Sequence, residues 1–85
     1  MEKEYLISFS SFYKAAYAKD VLEHHGLRSS LRKLPPQIAQ SCSTGVYLRI
    51  DSIDRVQQVL KDHEIIAKGY YEIRRANGRQ NYVRL

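Results

Sequence analysis

Apolar residues recur with two different periods along this chain, and the order in which those periods follow one another leaves few folds open. Tyr5-Leu6-Ile7-Ser8-Phe9 alternates large and small groups and reads as a strand. From Phe12 the spacing changes to threes and fours, through Ala15, Ala16, Ala18, Val21 and Leu22. That spacing predicts a helix whose small-residue face sits close to a sheet. Ser10 or Ser11 offers a hydroxyl at its start, and Gly26, after His24-His25, suits its C-terminal cap. Leu27–Leu34 predicts a second strand, polar enough at Ser29, Ser30, Arg32 and Lys33 for a sheet edge. Pro35-Pro36 ends it, because proline has no N–H for a ladder. Val46, Leu48 and Ile50 alternate with Tyr47 and Arg49 in a third strand. A second helix follows, with Asp51 or Ser52 as its cap, Asp54 in its first turn, and Ile53, Val56, Val59 and Leu60 as its apolar face. Ile65–Arg75 predicts a fourth strand, kinked at Gly69. Asn77-Gly78 is a two-residue hairpin signal of the type I′ kind. It sets a fifth strand, Arg79–Leu85, with Ile73 opposite Tyr82 and Glu72 opposite Val83.

The order β-α-β-β-α-β fits the ferredoxin-like split pattern, an α+β two-layer sandwich, here with an additional C-terminal β-hairpin strand. Residues 1–72 form the single ferredoxin-like domain, and 73–85 form a basic hairpin arm of it. Two helices cover one face of the sheet, and the other face is left for solvent or a partner. A chain of 85 residues buries only about 60–65% of its unfolded surface, which leaves little depth for a cleft. Carrying, binding or regulating is the better expectation than free-standing catalysis.

The formal net charge of +5 is unevenly placed. Arg74, Arg75, Arg79 and Arg84 sit in residues 73–85 without an acid, whereas residues 1–72 nearly balance. These four arginines are candidate partner-binding residues, for an acidic partner or nucleic acid, with solvated arginines on an exposed strand as the plainer reading. The alternative to a carrier is a non-catalytic interaction or assembly module docking through the open sheet face and this hairpin, and after it nucleic-acid binding through the hairpin. Seven tyrosines beside arginines resemble the stacking platforms of RNA-binding sheets, but no glycine-aromatic signature accompanies them. They are better read as core-margin residues or as part of a homodimer interface.

The one cysteine, Cys42, stands in an eleven-residue loop, 35–45, between Ser41 and Ser43-Thr44-Gly45. Small polar neighbours favour an exposed, hydrogen-bonded thiol over an inert buried one. Ser41, Ser43, Thr44 and the amides around Gly45 are candidate supports for a thiolate. Arg32, Lys33 and Arg49, on the bordering strands, are candidate cations for it. One cysteine forms no internal disulfide, the N-terminus lacks the pattern of a signal peptide, and no apolar run reaches bilayer length, so a reducing cytoplasm is the expected compartment. No Cys/His spacing suits zinc, no glycine-rich phosphate loop is present, and no metal or cofactor is expected. His24, His25 and His63 are expected at helix ends, as caps or solvated residues.

The stretch from Tyr5 to about Tyr71 resembles a family of small bacterial selenium/sulfur carrier protein-like domains. The likeness rests on Phe9-Ser10-Ser11, on Ala15, Ala16, Leu22 and Gly26, and on a Pro-x-x-Ile-x-x-x-Cys segment leading into a strand, here Pro35 to Cys42 and then Gly45-Val46-Tyr47-Leu48-Arg49. Pro36 stands where the family often has Arg, and Ser43-Thr44 precede Gly45 where it often has Gly directly after the Cys. The resemblance implies a carrier in which Cys42 holds a persulfide or selenopersulfide, with sulfur or selenium donor and acceptor proteins as partners.

Overall fold

A computed structural model describes residues 1–39 and 42–85. Five strands, β1 (Lys3–Ser8), β2 (Ser29–Lys33), β3 (Thr44–Ile50), β4 (Gly69–Ala76) and β5 (Arg79–Arg84), pair antiparallel in the order β2-β3-β1-β4-β5. Two helices, α1 (Phe12–His24) and α2 (Asp54–Asp62), make the connections from β1 to β2 and from β3 to β4. Each connection steps over one intervening strand. β1 lies in the middle because its residues are apolar or small toward both faces: Tyr5, Leu6, Ile7 and Ser8 are all buried.

Ser11 caps α1, its hydroxyl oxygen accepting from the Lys14 N–H at 3.2 Å. Ala15, Ala18, Val21 and Leu22 form the buried stripe of that helix. Phe12, expected in the stripe, is 52% exposed instead. It occupies the first helical position and sets its ring edge-on against Tyr13. At α2, the Ser52 hydroxyl accepts from the Asp54 N–H at 3.2 Å, one residue ahead of the cap position, which Ile53 occupies.

Both helices end in the same way. The Gly26 and Leu27 N–H groups of α1 reach back to the Glu23 and Leu22 carbonyls. The Glu64 and Ile65 N–H groups of α2 reach back to Lys61 and Leu60. These are Schellman motifs, each closed by an apolar residue after the left-handed position. That residue makes the expected second and fourth strands too long. Leu27 and Ile65 belong to the helix exits, and β2 and β4 begin later, at Ser29 and Gly69. Asn77 (φ 52°) and Gly78 (φ 75°) form the hairpin turn, and the register opposes Ile73 to Tyr82 and Glu72 to Val83 as expected.

The main core joins Tyr5, Ile7, Val46 and Leu48 of the sheet to Ala15, Ala18, Leu22, Val56 and Leu60 of the helices. The opposite face departs from expectation, because the chain itself covers part of it. Leu34 and Ile38 fold back onto Leu6 and Tyr71, with Ala39, Tyr47, Ile73 and Tyr82 packed around them. The fold-back is fixed by the Leu34 N–H donating to the Ser43 carbonyl at 2.7 Å and by a turn in which Ile38 and Ala39 donate to Pro35. Gly45 makes the close approach possible. A Cβ there would stand 2.5 Å from both the Ile7 carbonyl oxygen and Leu34 Cδ2.

Candidate functional site around Cys42

Cys42 lies just before β3 and is partly buried. Its thiol donates to the Thr44 carbonyl oxygen at 3.4 Å. Beside it is a cavity of about 100 Å³ at the end of the sheet where β1 finishes and β4 begins. Ser8 and Phe9 line it from β1 and its exit, Ile38 from the turn, Lys68 and Tyr71 from β4 and its approach, and Arg84 from β5. Two of these side chains are cationic, and none is acidic.

The register explains why these residues meet. Ser8 lies opposite Gly69, and Tyr71 lies opposite Arg84. The Arg84 guanidinium donates from Nη1 to the Tyr71 hydroxyl and from Nη2 to the Lys68 carbonyl, each at 3.0 Å. The Lys68 N–H donates to the Ser8 carbonyl at 2.7 Å, and the Ser8 hydroxyl donates to the Gly69 carbonyl at 3.4 Å. A guanidinium is therefore set at the wall of the cavity that the thiol also lines. Such a wall favours an anion over a neutral or cationic guest.

The residues singled out from the sequence are only partly gathered here. Ser41 lies outside the described residues. Thr44 meets the thiol through its carbonyl, and neither Ser43, Thr44 nor Gly45 lines the cavity. Arg32 and Arg49 do not line it either. Arg32 stacks over the Tyr47 ring, 3.7 Å from its centre, and Arg49 lies along β3 beside Arg28 and Glu2. Of the four C-terminal arginines, Arg84 reaches the cavity. Arg74 pairs with Glu72 at 3.3 Å, and Arg79 is exposed beside the hairpin turn. Arg75 binds both oxygens of Glu4 at 3.0 Å, and Tyr47 donates to Glu4 at 2.7 Å. The Arg75 and Tyr47 hydrogen bonds hold the Glu4 carboxyl down at about 2 against an ordinary 4.5. Burial first, and then the bond to Glu4, push the Tyr47 hydroxyl up.

Sequence reading missed Lys68 as a cation near Cys42 and assigned Arg84 to another role. A signal for Arg84 existed. Extending the Asn-Gly register two residues beyond Ile73–Tyr82 places Arg84 beside Tyr71.

A family model described as Putative Se/S carrier protein-like matches residues 4–72. The chain belongs to this family. No curated protein and no solved structure matches it significantly. The span shared with the Se/S carrier-like family includes Cys42 and every described residue lining its cavity except Arg84, which arrives on β5 from beyond the match. Among the described residues no helix is long and apolar enough to cross a membrane, and no three His, Cys, Asp or Glu side chains come together as a metal site.

Proposed function

We propose that this domain carries sulfur or selenium on Cys42 as a persulfide or selenopersulfide, exchanging it between a donor and an acceptor protein. Loading is a transfer between sulfur atoms. The Cys42 thiolate, its proton given to solvent, attacks the outer sulfur of a donor persulfide. The donor's S–S bond breaks, its inner sulfur leaves with the electron pair as a thiolate, and Cys42 keeps the outer atom. Delivery repeats the step with the acceptor thiolate as nucleophile. No net oxidation occurs at either stage. The selenium case follows the same scheme with selenium as the outer atom.

The observation that carries this reading is the shared wall of the cavity, where the thiol stands with Arg84 and Lys68 and without an acid. A thiolate and a terminal persulfide are both anions, and nearby cations favour both. The family membership supports the same cargo. The β2-β3-β1-β4 order, with each helix stepping over one strand, supports the ferredoxin-like reading of the scaffold.

Intact-mass measurement after incubation with a cysteine desulfurase and cysteine tests the proposal. The expected result is a gain of one sulfur atom that reductant reverses and that a Cys42→Ser variant does not show. An unchanged mass in the wild-type protein, with Cys42 also slow toward alkylating reagents, would overturn it.

A further inference from the structure

The two helix exits bring together a pair of side chains that the carrier reading does not use. His25 caps α1 and His63 caps α2. Their imidazoles meet Nε2 to Nε2 at 3.0 Å, with ring centres 5.2 Å apart and ring planes 83° to one another. Both residues are exposed. We propose that His25 and His63 form a chelating site for a borderline divalent transition ion such as Zn²⁺ or Ni²⁺, on the helical layer.

Distance is the first support. Two imidazole nitrogens bound to one tetrahedral ion at about 2.0–2.1 Å stand roughly 3.3 Å apart, with their ring centres about 5 Å apart. The rings already have that centre-to-centre spacing. Tilting each ring and opening the nitrogens by a few tenths of an ångström turns a shared proton into a shared ion.

Tautomer freedom is the second support. As it stands, one Nε2 carries a proton and donates to the lone pair of the other. Neither Nδ1 is hydrogen-bonded among the described residues. The donor's proton can therefore move to its own Nδ1, which leaves two Nε2 lone pairs directed at one place. Imidazole is a ligand type suited to zinc and nickel.

Backbone fixation is the third. The His25 N–H is held by the Val21 and Leu22 carbonyls, and its own carbonyl accepts from Arg55 Nη2 at 3.0 Å. The His63 N–H is held by Val59. The two rings thus project from fixed helix ends, which lowers the ordering cost of chelation. Exposure leaves the remaining coordination positions to water. No third protein ligand joins the pair among the described residues, so the affinity belongs to a two-ligand site and not to a closed structural one.

Calorimetric titration of Zn²⁺ and of Ni²⁺ into the full chain tests the site. It is run on the wild type and on a Cys42→Ser variant, so that the thiol does not contribute. His25→Ala, His63→Ala and His24→Ala are compared in the same background. One equivalent of ion should bind, with affinity falling at least tenfold in His25→Ala and in His63→Ala and unchanged in His24→Ala. In proton NMR the His25 and His63 ring signals should shift together at the first equivalent. Equal binding by wild type and by both single variants, loss in His24→Ala, or no binding at all would overturn the proposal. So would ring signals that respond separately. The outcome is independent of whether Cys42 accepts sulfur.

Discussion

Glu4 shows how far one residue can tie a sheet face together. Its carboxylate joins β1 to β3 through Tyr47 and to β4 through Arg75. Because the folded-state value, about 2, lies below the ordinary 4.5, the ionised form favours folding. That contribution is complete above the unfolded value and is lost as pH falls from about 4.5 toward 2. Thermal melts across this range should show wild-type stability dropping with acid, while Glu4→Gln is lower at neutral pH and flatter through the same window. Parallel curves for the two proteins would refute the role. Glu64 is the opposite case, a residue that costs stability. It holds φ at 58° in the position where α1 uses Gly26 at φ 76°. A left-handed residue with a Cβ costs about 1 kcal/mol, so Glu64→Gly should raise the melting temperature by a few degrees, read by circular dichroism.

At the scale of elements, most of the fold could be read from the chain, and its two main boundary errors share one cause. Alternation located β1 and β3, three-and-four spacing located the helices, and Asn77-Gly78 fixed the β4–β5 register to the residue. Leu27 and Ile65 misled, because the apolar residue that closes a Schellman motif looks like the first residue of a strand. Gly26 announced one such motif, while Glu64 concealed the other. The fold-back of Leu34 and Ile38 was hidden for a different reason. Pro35-Pro36 correctly ends a strand, but nothing local says where the chain goes next. Gly45 is the element that admits the fold-back, and Gly45→Ala tests it. A methyl group 2.5 Å from a backbone oxygen cannot be absorbed by a rotamer change. The variant should lose about 1–3 kcal/mol, measured by denaturant unfolding.

For the whole molecule, the candidate site is a product of topology, which is why the sequence showed only its cysteine. Cys42, Lys68 and Arg84 are far apart along the chain and meet because β1 stands between β3 and β4 while β5 extends the sheet beyond β4. Arg32 and Arg49, nearer in sequence, are turned toward Tyr47 and toward the other end of β3. The turn that brings Ile38 to the cavity is attached differently from the strands beneath it. It rests on the sheet through the packing of Leu34, Ile38 and Ala39 and the Leu34–Ser43 hydrogen bond, whereas the strands beneath it are locked into continuous ladders. Segments packed on a sheet outside its hydrogen-bond ladders open by local unfolding at less than the global free energy. Ile38→Ala should therefore speed alkylation of Cys42 several-fold while shifting the unfolding midpoint only modestly, and an unchanged rate would show that the turn does not control the thiol. Under the carrier proposal, access to the sulfur becomes a matter of timing: the cargo would be shielded for as long as the turn stays down, and surrendered at the frequency with which it lifts.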